Sequence, residues 1–330
     1  MQRIAIVCPG RGSYTEKSLR SLPASHPWLE AAERLRAEAG LPSLRELDGA
    51  ARFSAAEHLR PANVSALIYA HSMLDAAAAG EGRQVVAVAG NSMGWYTALA
   101  VAGALSFEDG FKLVQGMALI QERHEQGGQI LYPLVDEEWR PDAQRRAAVE
   151  AALAALPGQA FPSIHLAGYA VLAGTEAGVA GLLQRLPQVK LGGTLYPFRL
   201  LRHGPYHTPL LAEAAAEARR AFQDLGWRRP RTTLIDGRGR RFGLLTSSPA
   251  ALFDYTVGAQ VTTPYDLSAS LRVLLREHAP AQIFLPGPGN TLGGVLGQAL
   301  IAEGWRGIRT KSDFQRAQES AAPPAVSMRR

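Results

Sequence analysis

Apolar runs and amphipathic segments alternate along the first part of the chain. The run "RIAIVC" at residues 3–8 is apolar enough for a buried strand, and a glycine-rich loop follows it. A second run, "QVVAVAG" at residues 84–90, stops at a glycine–serine turn, and an alanine-rich segment with helical spacing comes next. Because strands that alternate with helices form parallel sheets covered on both faces, this pattern predicts an α/β fold.

The pattern changes between residues 128 and 200. Strand-like and helix-like runs follow one another there in the order β-α-β-β-α-β, which is typical of a ferredoxin-like unit. We therefore predict a large, discontinuous domain formed by residues 1–127 and 201–312, with a small domain inserted at residues 128–200. For residues 313–330 we predict a disordered tail.

Composition narrows the class of protein. A chain of 330 residues with 47% hydrophobic content can bury a large core, and it has no apolar run near the roughly 18 residues that a membrane helix needs. Its start shows no signal-peptide cleavage pattern, and Cys8 is its single cysteine. We expect a cytoplasmic monomer without disulfides, metal or bound cofactor, and without a membrane partner.

Charge adds one expectation about partners. The formal net charge is +6, arginine far outnumbers lysine, and arginines cluster at residues 228–231 and 238–241. No nucleic-acid-binding motif or interleaved aromatic pattern accompanies these clusters, so we predict no nucleic-acid partner. A moderately basic surface suits an acidic protein or a phosphate group.

The turn "GNSMG" at residues 90–94 is the clearest candidate for chemistry. A serine between glycines at a strand-to-helix corner projects its hydroxyl clear of the sheet, and the following helix directs unpaired N–H groups at a developing oxyanion. Taken alone, a G-x-S-x-G match is also found at accidental turns.

Four segments together resemble the malonyl-CoA:acyl-carrier-protein transacylase family. They are "PGRGS" at residues 9–13, the serine turn with its helices at 89–114, "GPYHTPLL" at 204–211 and "GPGNTLGGVL" at 287–296. Their order and spacing agree with the family over roughly residues 3–305. The resemblance implies an α/β-hydrolase-like large domain with a parallel sheet and an inserted ferredoxin-like domain.

The resemblance assigns roles to individual residues. It implies that Ser92 is the nucleophile and His207 its general base, although His203 lies only four residues earlier. It implies that the backbone carbonyl of Gln260 orients the imidazole, since no acidic residue adjoins the histidine motif.

The resemblance also implies an oxyanion hole made by the backbone N–H groups of Met93 and Arg11. The family usually has glutamine at the position of Arg11. Because the donor is on the main chain, this change need not destroy the hole.

Three further departures concern the acyl pocket. Asn91 replaces a histidine, Trp95 replaces a glutamate, and Met117 replaces the arginine with which the family reads the malonyl carboxylate. We expect all three to line the pocket, and since methionine cannot form a bidentate ion pair, the pocket should take an uncharged acyl group. The alternative is that Arg11 or another arginine reaches the same pocket.

The function implied is acyl transfer in fatty acid or polyketide biosynthesis. An acyl group would pass from a coenzyme A or phosphopantetheinyl thioester, through an acyl-serine, to the thiol of an acyl carrier protein. One alternative is a trans-acting acyl hydrolase, in which water is the second acceptor. Another is a non-catalytic protein that docks carrier proteins, although the Ser92/His207 pair argues against it.

Overall fold

The computed structural model describes residues 1–124 and 126–328, and a six-stranded sheet lies at the centre of these residues. The strands of the whole molecule are β1 (Gln2–Cys8), β2 (Arg83–Gly90), β3 (Gly128–Pro133), β4 (Ala160–Leu166), β5 (Tyr169–Gly174), β6 (Val189–Leu191), β7 (Thr194–Tyr196), β8 (Phe198–Arg199), β9 (Thr233–Ile235), β10 (Arg241–Phe242), β11 (Tyr265–Asp266), β12 (Gln282–Leu285) and β13 (Ala325–Ser327). The central sheet has the order β10-β9-β2-β1-β12-β13, and only the β9–β10 pair is antiparallel.

Strand β1 occupies an inner position because its side chains are apolar on both faces. Residues 4–8 are all buried, as expected for a strand covered on both sides in a parallel sheet. Its partner β2 is likewise buried over its last four residues, which lead directly into the serine turn. The predicted α/β fold with a parallel sheet is confirmed.

The helices are α1 (Pro27–Glu38), α2 (Leu44–Asp48), α3 (Ala55–His58), α4 (Pro61–Gly80), α5 (Gly94–Val101), α6 (Phe107–Arg123), α7 (Ala143–Ala154), α8 (Glu176–Arg185), α9 (Ala212–Phe222), α10 (Pro249–Asp254), α11 (Gln260–Thr262), α12 (Leu267–Val273), α13 (Gly293–Ala302) and α14 (Lys311–Gln318). Helices α4, α5 and α6 pack on one another beside β2. No helix in the described part of the chain has both the length and the apolar character needed to cross a membrane.

A second sheet has the order β11-β4-β5-β3-β8. Its strands from residues 128–199 follow the chain order β-α-β-β-α-β, with α7 and α8 as the two helices, and the first and third strands are neighbours, as in ferredoxin-like units. Strand β11 lies beyond the predicted insert and pairs in parallel with β4. The two parts of the chain therefore share this sheet.

The prediction of a disordered tail at residues 313–330 is wrong for residues 313–328. Thr310 and Asp313 form a capping box that starts α14, and Phe314 is buried against Trp139. Strand β13 then adds a parallel edge to β12, which supplies the backbone hydrogen bonds that this short segment could not make alone. Residues 329 and 330 lie outside the described residues.

Candidate active site

Ser92 lies at a sharp corner between β2 and α5. Its φ of 55° is in the left-handed region, which is uncommon for a residue other than glycine and is a form of strain often found at functional sites. The corner depends on Gly94, because a Cβ atom there would lie 2.3 Å from the Cys8 carbonyl oxygen. The glycine thus lets the start of α5 pack against β1 and leaves the serine at the end of the sheet.

The structure brings Ser92, His207 and Gln260 together in a hydrogen-bonded chain. The Ser92 Oγ lies 2.7 Å from the His207 Nε2, and the His207 Nδ1 lies 2.6 Å from the Gln260 carbonyl oxygen. Since a carbonyl can only accept, Nδ1 carries the proton and Nε2 is free to accept one from the serine hydroxyl. This is the tautomer that a general base for Ser92 requires.

The surroundings of His207 keep its imidazole neutral. Burial lowers the pKa of His207 to about 4, although the hydrogen bond to the Gln260 carbonyl raises it and the charge of Arg11 lowers it further. The side chain is 3% exposed and lies beside the Tyr265 ring. At neutral pH the residue is therefore in the protonation state of a base.

His203, the rival histidine, has a different partner. Its Nδ1 lies 2.9 Å from the Gln129 Oε1, at the start of β3. Burial and the charge of Arg11 lower the pKa of His203 to about 3. The hydrogen bond to Ser92 is made by His207 and not by His203.

The side chain of Gln260 makes two further hydrogen bonds near Ser92. Its Nε2 donates to the Ser92 carbonyl at 3.2 Å, and its Oε1 accepts from the Tyr96 hydroxyl at 2.7 Å. Sequence reasoning predicted only the backbone carbonyl. The side chain also links the backbone at Ser92 to Tyr96 on helix α5, and this clamp could not be predicted from the local sequence.

The loop at residues 9–13 packs against the serine corner. A Cβ atom on Gly10 would lie 2.7 Å from the Asn91 carbonyl oxygen and 3.5 Å from the Ser92 Cβ, so glycine is required for this approach. Among the described residues, neither the Met93 N–H nor the Arg11 N–H donates to a protein acceptor. The oxyanion hole at Met93 and Arg11 stays a prediction, and in the described residues neither donor is occupied by a protein acceptor.

A small cavity of about 10 Å³ adjoins Ser92, roughly the room of one water molecule. Ser92, Met93, His207 and Gln260 form one side of it. The rest of its wall consists of Arg11, Tyr96, Gln121, Tyr206 and Val261.

Met117, Asn91 and Trp95, which the sequence predicted to line the acyl pocket, are not part of the wall of this small cavity. Met117 is 1% exposed and packs in the hydrophobic core. The Trp95 ring is buried beside Tyr255, and its Nε1 donates to the Thr256 Oγ1 at 2.9 Å. The Asn91 Oδ1 is buried without a hydrogen-bond partner.

Arg11 is part of the wall of this cavity, as the alternative interpretation of the sequence had it. Its guanidinium donates to the Tyr206 hydroxyl at 3.0 Å and to the Gln121 Oε1 on α6. The Arg11 Cζ lies 4.3 Å from the centre of the Tyr206 ring, a cation–π contact. Two signals could have found these partners: Tyr206 precedes His207 in "GPYH", and Gln121 lies one helical turn beyond Met117.

A serine hydroxyl hydrogen-bonded to a neutral histidine, at the end of a parallel sheet, is the arrangement typical of a serine acyltransferase. Among the described residues, no group of three or more His, Cys, Asp or Glu side chains could hold a metal ion. The chemistry that the arrangement offers is nucleophilic attack on an acyl carbonyl.

Comparisons with known proteins agree with this class. No family model matches the chain. The malonyl CoA-acyl carrier protein transacylase of Mycobacterium tuberculosis (strain ATCC 25618 / H37Rv) is 26% identical over 326 residues, covering 94% of this chain and 98% of that protein. The resemblance to the malonyl-CoA:acyl-carrier-protein transacylase family, and with it the acyltransferase class of enzyme, is confirmed.

Solved structures support the fold. The acyl-carrier-protein S-malonyltransferase from Burkholderia pseudomallei 1710b has a TM-score of 0.73 and 24% identity, over 91% of this chain and 93% of that one. The MCAT structure from Mycobacterium tuberculosis has a TM-score of 0.74 and 24% identity, over 99% and 96%.

Proposed function

We propose that this protein is a ping-pong acyltransferase that passes an acyl group through Ser92 to the phosphopantetheine thiol of an acyl carrier protein. The observation that carries the proposal is the hydrogen-bonded chain from the Ser92 Oγ through His207 to the Gln260 carbonyl. A serine hydroxyl becomes a useful nucleophile when a neutral imidazole at this distance can take its proton.

The first half-reaction follows from this geometry. As the Ser92 Oγ attacks the thioester carbonyl carbon, its proton moves to the His207 Nε2 and the carbonyl oxygen becomes an oxyanion. The N–H groups of Met93 and Arg11 stabilise that oxyanion. The carbon–sulfur bond then breaks, and the departing thiolate takes the proton from His207. The products are acyl-Ser92 and a free thiol.

The second half-reaction runs the same steps with a new thiol. His207 takes the proton of the carrier thiol, whose sulfur attacks the acyl-Ser92 carbonyl. When the ester bond breaks, the proton returns from His207 to the Ser92 Oγ. During both halves the Gln260 carbonyl accepts the Nδ1 proton and holds the ring in one tautomer.

The proposed acceptor is a carrier protein for two reasons. A malonyl-transacylase solved in complex with its type II PKS acyl-carrier protein (PlMCAT:AntF, holo) has a TM-score of 0.74 and 21% identity to this chain, over 91% of this chain and 93% of that one. This chain also has a formal net charge of +6, which favours association with an acidic partner.

The identity of the acyl group is a separate matter. The expectation of an uncharged group rested on Met117 as a wall of the pocket. Since Met117 lies in the hydrophobic core and Arg11 lies in the wall, that expectation loses its support.

The test of the proposal is the mass of the intact protein after incubation with a panel of acyl-coenzyme A thioesters. We expect one acyl adduct on the wild type, none on Ser92→Ala, and the adduct retained on Ser320→Ala, which removes an exposed hydroxyl. An adduct that persists on Ser92→Ala would contradict the assignment of the nucleophile.

A second measurement separates transfer from hydrolysis. With holo carrier protein present, acyl-carrier product should form faster than free acid, because the thiol is the natural acceptor. Free acid as the main product, at a rate independent of the carrier, would favour a hydrolase.

A further inference from the structure

Arg11 places a guanidinium in the wall of the site. Its guanidinium contacts the Tyr206 hydroxyl, the Tyr206 ring and the Gln121 amide oxygen, all of them neutral. In the part of the chain that the structure describes, no Asp or Glu forms an ion pair with it. By contrast, Arg123, two residues after Gln121 on helix α6, pairs with Glu217.

The contacts of Arg11 fix its position without using all of its donors. A guanidinium has five N–H groups in a planar fork, and these two hydrogen bonds occupy two of them. Tyr206 and Gln121 hold the fork from two different elements, the loop before His207 and helix α6. The remaining donors are therefore positioned in advance for an acceptor in the cavity.

A half-buried cation of this kind is suited to an anionic ligand. Arg binds carboxylates through two parallel hydrogen bonds, and such charge-assisted bonds are the stronger ones in proteins. The cavity that Ser92 and Arg11 both line is small, which favours a short acyl group.

We propose that Arg11 is the specificity-determining residue of the site and selects acyl thioesters whose short acyl group ends in a carboxylate. The proposal rests on the acyl-Ser92 function above. In this proposal the carboxylate is bound by Arg11, in the loop that also supplies a predicted oxyanion donor. Helix α6, where Met117 replaces the family's arginine, does not bind it. Arg11 reaches α6 one turn beyond Met117, at Gln121.

A carboxylate on the acyl group would also change the pKa of His207, the general base. The charge of Arg11 is one of the causes that lower the pKa of His207. A carboxylate that pairs with Arg11 compensates this charge, so the imidazolium formed during attack becomes easier to reach. A neutral acyl group gives no such compensation.

The test compares the second-order rates at which malonyl-coenzyme A and acetyl-coenzyme A acylate the protein. We expect wild type to favour malonyl, and Arg11→Gln to reduce the malonyl-to-acetyl ratio by about 10- to 150-fold, the range for loss of charge-assisted hydrogen bonds. Arg11→Lys should fall between them, because it keeps the charge and loses the fork.

The controls are Arg123→Gln, which removes a guanidinium outside the cavity, and Glu125→Gln, an acidic residue outside the described part of the chain. Both should leave the ratio unchanged. A changed ratio in Glu125→Gln would overturn the proposal, because the charge of Arg11 would then belong to an internal ion pair. An unchanged ratio in Arg11→Gln, with both rates lowered equally, would mean that Arg11 only braces the site.

A binding measurement keeps this proposal separate from the proposed function. In Ser92→Ala, calorimetry should show tighter binding of malonyl- than of acetyl-coenzyme A, and the added change Arg11→Gln should remove that difference. If wild type is never acylated but the difference in affinity persists, the acyl-serine function fails and anion recognition stands. Equal affinities in Ser92→Ala would overturn anion recognition, whatever the acylation result.

Discussion

The two ends of the cavity differ in how closely the structure follows the sequence. At the nucleophile end, formed by Ser92, His207 and Gln260, the structure brings together the residues that the motifs selected. At the other end, formed by Arg11, Tyr206 and Gln121, it places a cation, whereas the sequence predicted an apolar pocket wall at Met117. The first end depends on backbone corners and the second on long side chains from separate elements.

This difference has a physical basis. Backbone corners are constrained by local sterics, so a glycine at Gly94 and a strained serine at Ser92 specify a shape that a short motif can carry. A pocket wall depends on which side chains meet across the fold. Changing one residue, such as Met117, alters the wall only if its side chain faces the cavity.

The largest effect should come from the nucleophile end. His207→Ala removes the only base hydrogen-bonded to the Ser92 Oγ in the described structure, so the acylation rate should fall by roughly 10²–10⁴-fold. Single-turnover mass spectrometry with malonyl-coenzyme A measures this rate. His203→Ala serves as the matched change, and a greater loss there than in His207→Ala would show that the hydrogen-bonded chain has been assigned to the wrong histidine.

The next prediction concerns Met117 and protein stability. Met117→Arg places a guanidinium at a site that is 1% exposed, so the free energy of unfolding should fall by about 3–5 kcal/mol. Met117→Leu, which keeps the volume, should cost less than about 1.5 kcal/mol. Urea unfolding measures both. A Met117→Arg protein as stable as wild type would mean that the position opens onto the cavity after all.

Gln260→Ala should have a smaller effect, because the carbonyl that orients His207 remains. The variant loses the bonds to the Ser92 carbonyl and to the buried Tyr96 hydroxyl, and we expect a roughly tenfold lower kcat with little change in KM. Gln298→Ala removes a buried glutamine that bonds Gly168 instead. If both variants slow acylation equally, the clamp has no special role.

The smallest effect is a shift along the pH axis. His207 acts as a base only while neutral, and its pKa is lowered to about 4, so the acylation rate should stay level from neutral pH down to about pH 5 and fall below that. Removing the Arg11 charge raises this pKa, so in Arg11→Gln the fall should begin at higher pH. If the acylation rate of Arg11→Gln fell at the same pH as that of wild type, or at a lower pH, the effect of the Arg11 charge on the pKa of His207 would be contradicted.

Much of the fold could be predicted from local pattern, because the parallel sheet and the ferredoxin-like order were visible in apolar and amphipathic runs. The Ser92/His207 pair came from the resemblance of four short motifs to a known family. Strand β13 could not be predicted from local pattern, because it is stabilised by pairing with β12, some forty residues earlier in the chain. The capping box from Thr310 to Asp313 is a local signal for the start of α14 that is present in the sequence.

The direction in which a side chain points could not be predicted from the sequence for Trp95 and Arg11. Trp95 follows Ser92 by three residues, yet its position on the first turn of α5 directs the ring to Thr256 and Tyr255. Nothing local distinguishes that direction from one towards the cavity. The contact of Arg11 with Gln121 joins residues 110 positions apart, so only the folded structure could reveal it.

The most direct test of the account offers both acyl donors to the same protein. Wild type is mixed with equal concentrations of malonyl- and acetyl-coenzyme A, quenched within one turnover and digested, and the acylated peptide is mapped by mass spectrometry. The account predicts a malonyl group on Ser92 as the dominant adduct. An acetyl group as the dominant adduct, or acylation at any residue other than Ser92, would contradict it.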